Sequence, residues 1–296
     1  GVLVGLFFFY KYEELITKDL INSKKFFLNR FSRLYPLHFI TLLIVLILQY
    51  LYQGQNGNYF VYENNDIYHF FLQVLFISNW GFENGYSFNG PIWSVSIELV
   101  VYLIFYSFIK FFGKSIKINL IIIISCMLCK LLTNTTYILF DCIIFFYSGG
   151  LTFIISNYLT KKNLIKYINT KKYIISILVI PLICWYFKLY EVKYFYFIFF
   201  ITFPCLLLLT STIEFNFSDK ILKFIRVLGN MTYGSYLLHF PFQLLVSNLS
   251  IYLNFDIPIY ENWFFIFYIS SVFIFSYFSY YKFELPIQNF IRHIKY

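Results

Sequence analysis

Apolar runs of about twenty residues, separated by short polar or charged segments, repeat along almost the whole chain. Twenty residues at 1.5 Å per residue cover about 30 Å, the thickness of a bilayer's hydrocarbon core. The pattern predicts spanning helices at 34–53, 88–109, 117–132, 137–157, 173–189, 194–213, 227–250 and 262–281. Residues 67–80 form a shorter apolar stretch, which suits a re-entrant or interfacial helix rather than a span. At the amino end, about ten apolar residues precede Lys11, enough for about half a crossing. A half-span facing lipid would leave backbone groups unsatisfied, so this segment reads as the remainder of a longer helix, an N-terminal truncation. No charged n-region or small-residue cleavage site marks a signal peptide.

Composition agrees with the pattern. The chain is 60% hydrophobic and 12% charged, against roughly 45–50% and 25% in soluble domains, and its mean hydropathy is +0.69. The predicted fold class is an all-α, polytopic integral membrane helical bundle of eight full spans plus a half-span. One transmembrane domain over 1–290 and a cytoplasmic tail over 291–296 is the simplest division.

The net charge of +9 is explained by topology rather than by nucleic acid. All Lys and Arg residues except Lys130, Lys188 and Lys193 fall in alternate loops or in the tail. The positive-inside bias therefore places the basic loops and the C-terminus in the cytoplasm of a multi-pass protein of the inner membrane. A full span at 67–80 would invert every later loop. The five cysteines lie in apolar stretches, and Cys126 and Cys129 have no second ligand pair at zinc-site spacing; free thiols are expected, with no metal site.

A few polar groups stand out against this background. Glu98 lies inside the 88–109 run, where an ionised carboxylate costs about 2.5–3.5 kcal/mol and therefore faces a polar cavity or a partner. Arg30 and Arg33, one helical turn apart at the cytoplasmic mouth of the first full span, suit a phosphate-bearing ligand; a headgroup anchor is the plainer alternative. His239 sits about twelve residues into the 227–250 run and Glu98 about ten into its own, so both reach mid-membrane depth. Histidine at that depth is either a proton carrier or a packing residue. Trp93 lines an acceptor site or anchors at the interface. Asp141 and His38 are weaker candidates, each close to a membrane surface. Pro286 after Glu284-Leu285 reads as a plain helix stop.

Taken in order, these segments resemble acyltransferase family 3, bacterial membrane enzymes that acylate sugars and surface polymers. The segment Arg30-Phe31-Ser32-Arg33-Leu34-Tyr35-Pro36 is similar to the family's basic RxxR signature. The run from Gly90 to Tyr102 (GPIWSVSIELVVY) is similar to its W-S…E segment, and Gly229 to Pro241 (GNMTYGSYLLHFP) to its G-x-x-S-Y…H-x-P element. Lys282-Phe283-Glu284-Leu285-Pro286 is similar to its closing motif, and Phe76 to Trp80 (FISNW) also fits. The resemblance covers essentially the whole chain.

That resemblance implies a ten-helix fold and an O-acetyltransferase that uses acyl-CoA, usually acetyl-CoA, from the cytoplasm. No bound cofactor is implied; the acceptor would be a hydroxyl of a lipid-linked or surface glycan. It implies phosphate binding by Arg30 and Arg33, with help from Lys24 or Lys25, and catalytic roles for Glu98 and His239. The family's general-base histidine lies on a first helix that no residue here matches, so Glu98 would support a base lying outside this sequence. A glycan transporter or flippase is the rival reading, although matching broken repeats are not visible. An inactive paralogue is a third.

Overall fold

The computed structural model describes residues 1–133, 138–162, 202–210 and 216–293. The described residues are helical, without strands: α1 (Val2–Thr17), α2 (Ser23–Asn56), α3 (Ile67–Val74), α4 (Ile92–Phe112), α5 (Ile116–Thr133), α6 (Ile138–Lys161), α7 (Asp219–Leu253) and α8 (Asn262–Ser279). A π-helical turn (Tyr280–Glu284) then joins α8 to α9 (Leu285–His293). Among the described residues, α2, α4, α5, α6 and the continuous stretch Asn262–His293 are long and apolar enough to cross a membrane. The protein is a multi-pass membrane protein. The span expected at 173–189 lies outside the described residues, and that at 194–213 is described only over 202–210, which is helical.

Two compact units emerge from the packing: Gly1–Asn22 with Val100–Asn216, and Ser23–Leu99 with Phe217–Tyr296. Helix α4 contributes its first turns to the second unit and its remainder to the first.

In the first unit, α1 does not stop at Lys11 as the apolar run suggests. It continues to Thr17, because its charged end finds partners: Glu13 accepts from Lys114 at 3.2 Å and Glu14 pairs with Lys18. Its apolar face carries Phe8, Phe9, Tyr12 and Ile16, all buried. Phe8 stacks on Tyr102 at 4.2 Å and meets Phe146 edge-on at 5.7 Å. Helices α1 and α6 approach so closely that a Cβ on Gly5 would strike the Phe146 carbonyl and one on Gly149 the Val2 carbonyl. Small residues permit such contact where packing, not water release, joins helices. Asp141, a weak site candidate in the sequence, is ion-paired here with Lys130 of α5.

The second unit is organised around α2 and α7, with Leu42, Val45, Phe88, Phe240 and Leu244 at its centre. The span expected from residue 88 begins as a helix only at Ile92. Residues 57–91 instead form an ordered polar loop around the short helix α3. Backbone groups at such depth need partners, and side chains supply them. Gln49 bonds Phe60 through both its amide N–H and its carbonyl, each at 2.9 Å. Gln73 donates to the Ser87 carbonyl at 2.8 Å, and Trp80 Nε1 donates to the Ser96 carbonyl at 3.0 Å. Asp66 caps α3, accepting from the His69 backbone N–H and from His69 Nδ1, both at 2.8 Å.

The carboxyl end departs from the sequence reading. Pro286 does not stop the helix. The Leu285 N–H bonds Tyr280 in a wider turn, which places the proline in the first turn of α9, where its missing donor is harmless. Helix α9 then packs on α2 rather than trailing away as a tail.

Candidate functional site

The motif segments that stood out in the sequence lie in the second unit, apart from the last three residues of the Gly90–Tyr102 run, and side-chain hydrogen bonds join several of them. Pro241 lacks an N–H, so it leaves the Leu237 carbonyl, four residues earlier, without its helical donor. Asn89 Nδ2 fills that vacancy at 3.2 Å and also donates to Thr41 Oγ1 at 3.1 Å. The prolines and asparagine of two distant motifs thus explain each other. Tyr236 OH donates to the Pro91 carbonyl at 2.8 Å and shares a 2.9 Å hydrogen bond with Ser94 Oγ. Tyr233 OH donates to the Leu34 carbonyl at 2.5 Å. The Phe76 carbonyl accepts from Ser96 Oγ at 2.9 Å.

Around Tyr233 the charged groups gather: Glu98, Glu284 and Arg33 all act on its hydroxyl electrostatically. Glu284 is buried, accepts from Ser279 Oγ at 3.1 Å and feels the Arg33 charge. A Cβ on Gly234 would lie 3.1 Å from Glu284 Oε1, so the glycine leaves room for the carboxylate beside α7. Glu98 itself is half-buried. The Arg33 charge favours the buried Glu284 carboxylate, which would be costly in an apolar setting without such a partner.

His239 is half-buried and lies six residues beyond Tyr233, a rise of about 9 Å along α7. Its Nδ1 lies 2.7 Å from the Tyr236 carbonyl. A carbonyl only accepts, so Nδ1 carries the proton and Nε2 keeps the lone pair. Tyr268 OH donates to the His239 carbonyl at 2.9 Å. Trp93 is half-buried beside Tyr86, with ring centroids 6.4 Å apart. His38 is fully buried and donates from Nε2 to the Gln73 carbonyl at 2.8 Å, a packing and bracing role.

Near the start of α2, Arg30 is buried and Arg33 exposed, so the two residues one turn apart occupy different environments. Sequence reasoning missed a third guanidinium. Arg292 Nε donates to Ser32 Oγ at 3.0 Å and its NH2 group to the Asn29 carbonyl at 3.4 Å. That placement follows from the unbroken helix through Pro286. Glu284 was likewise passed over as part of a stop signal, although it stood in a motif.

The family model described as an acyltransferase domain matches residues 2–281, nearly the whole chain. No curated protein and no solved structure matches. The chain belongs to the acyltransferase 3 family.

Proposed function

From that membership and the cluster around Tyr233, we propose that the protein transfers an acyl group, acetyl, from cytoplasmic acyl-CoA to a hydroxyl of a lipid-linked or surface glycan. Family membership supports the acyltransferase class; the observation that carries the finer reading is the buried Glu284 carboxylate, held by Ser279 and lying against Gly234 beside Tyr233, within electrostatic reach of Arg33. In this reading Arg30 and Arg33 hold the phosphates of coenzyme A at the cytoplasmic end, where the planar guanidinium offers paired donors. Lys24, Lys25 and Arg292 add positive charge nearby.

The acceptor hydroxyl oxygen attacks the thioester carbonyl carbon, forming the ester C–O bond. The C–S bond breaks, the hydroxyl proton passes to a base, and the coenzyme A thiolate is protonated. His239 Nε2, with its lone pair directed away from the helix backbone, is suited to hold a proton in that sequence. Glu98 and Glu284 stabilise the positive charge that develops on the base as it takes the hydroxyl proton, as a carboxylate does for imidazole in other acyl-transfer sites; Arg33 is a fixed positive charge throughout. Trp93 offers an aromatic face to the acceptor.

The test is transfer of label from acetyl-CoA to polymer in membranes from cells expressing the protein. Glu98→Gln and Arg33→Ala are expected to lose transfer at least about tenfold, equivalent to roughly 1.4 kcal/mol at the transition state, with insertion unchanged. Wild-type transfer by either variant removes that residue from the site.

A further inference from the structure

Beyond the Tyr233 cluster, the second unit contains a cavity of about 380 Å³ at the outer end of α7 and α8. Phe60, Val246, Ile257, Phe264, Phe265 and Tyr268 supply most of its wall, and Gln243 and Ser247 its polar edge. The volume falls in the range of small-molecule sites, roughly 300–1,000 Å³. Three observations define what it would take.

The first is access. Helix α8 opens the stretch Asn262–His293, of which only 11% of the most apolar window is buried, and Phe265 and Ile259 are 64% and 62% exposed. Among the described residues, this exposed side leaves the cavity open to a lipid.

The second is the unspent hydrogen-bonding capacity. The side chains of Gln243 and Ser247 make no hydrogen bond among the described residues, and they lie four residues apart on one face of α7. Gln243 is exposed and Ser247 half-buried, so both polar ends stay open to an occupant, and one that both donates and accepts matches an amide and a hydroxyl. Hydroxyl groups do both. The third is charge. None of these wall residues is ionisable in the neutral range, so a phosphate placed here would lack a counter-charge.

We propose that this cavity binds a neutral, hydroxyl-bearing lipid, its head hydroxyls on Gln243 and Ser247 and its hydrocarbon against Val246, Ile257, Phe264 and Phe265. The site is preformed: Phe60 is fixed through its backbone by Gln49, and Tyr268 is tied to the carbonyl of His239. Gln243 follows His239 by one turn of α7, about 6 Å along the helix, so a head group on Gln243 is bound one turn from that histidine, which itself lies outside the cavity wall. The occupant's role as acceptor rests on the transfer reading; its binding does not.

The experiment is photolabelling of the purified protein in phosphatidylcholine nanodiscs. The probe is an alkyl glucoside carrying a diazirine and an alkyne tag, compared with the same chain ending in a phosphate monoester. Labelled peptides should map to 243–268, with the glucoside favoured about fivefold or more, equivalent to roughly 1 kcal/mol. Ser247→Trp, which fills the cavity, should cut glucoside labelling by about the same factor. Gln243→Leu, a milder change that keeps the volume, should erase the preference over phosphate and decides the matter if the tryptophan variant does not fold. Phe290→Trp, on the exposed face of α9, should alter nothing. Labelling spread evenly along α8, equal for both probes, or unchanged by Gln243→Leu overturns the site. Intact labelling with no acetyl transfer overturns the transfer reading alone.

Discussion

The bond between Asn89 and the carbonyl released by Pro241 can be isolated by a double-mutant cycle. Asn89 is fully buried and donates to two acceptors, Thr41 Oγ1 and the Leu237 carbonyl. In the wild-type background, Asn89→Ala removes both bonds and strands the carbonyl, because Pro241 has no N–H to offer. A buried acceptor left without a donor costs about 1–3 kcal/mol, although polar contacts between helices in bilayers average nearer ~0.6 and reach ~1.7. Adding the lost Thr41 bond gives a total of about 2–3 kcal/mol. In a Pro241→Ala background, residue 241 donates to Leu237 itself, so Asn89→Ala then costs only the Thr41 share. The expected coupling is about 1 kcal/mol. Reversible unfolding of the four proteins in mixed micelles measures it. An equal cost for Asn89→Ala in both backgrounds, within about 0.3 kcal/mol, would refute the assignment of Asn89 to the proline-freed carbonyl.

Other expectations follow from the same geometry. Gly149→Leu should prevent α1 from docking on α6, since even a Cβ there strikes the Val2 carbonyl; protease sensitivity of the α1–α2 connection should rise sharply, and an unchanged digest would exclude the close approach. Asp66 is held below the usual carboxylate range, first by the His69 backbone N–H and then by the His69 side chain. A carboxylate with a depressed pKa stabilises the fold above its unfolded value, near 3.9, and loses that contribution as pH falls through the folded value. Protection of the first α3 amides, corrected for intrinsic exchange, should therefore decline in acid, whereas Asp66→Ala should show that low protection already at neutral pH. Glu284→Gln, which keeps an oxygen to accept from Ser279, should reduce acetyl transfer at least about tenfold while leaving membrane insertion and folded yield unchanged; unimpaired transfer would mark Glu284 as structural.

What the sequence disclosed depended on how local the cause was. Helices α2, α5, α6 and α8 were legible because a long apolar run between charged segments has few alternatives in a membrane. The start of α4 was not: Asn89, Gly90 and Pro91 carry turn chemistry, but they lie inside an otherwise apolar run, and the contacts of Asn89 with Thr41 and Leu237 and of Pro91 with Tyr236 hold them in a loop. Asp141 looked solitary because Lys130, its partner, sits on a different helix. For the site, Glu98, Arg33 and His239 stood out as polar groups where such groups are expensive, but the grouping of Glu98 and Arg33 around Tyr233 depends on how α2, α4 and α7 come together. That information is carried by tertiary bonds such as Ser94 to Tyr236, which leave no periodic trace.

The π-helical turn at Tyr280–Glu284 acts as a phase shifter. One surplus residue in a helix rotates all that follows by about 100°. Deleting a single residue there would restore a regular helix of almost the same composition and hydropathy. It would also turn Arg292 away from Ser32 and swing the carboxylate now beside Gly234 toward the lipid. The angular setting of the carboxyl end, and with it the alignment of three separate motifs, is therefore stored in a residue count rather than in any one side chain.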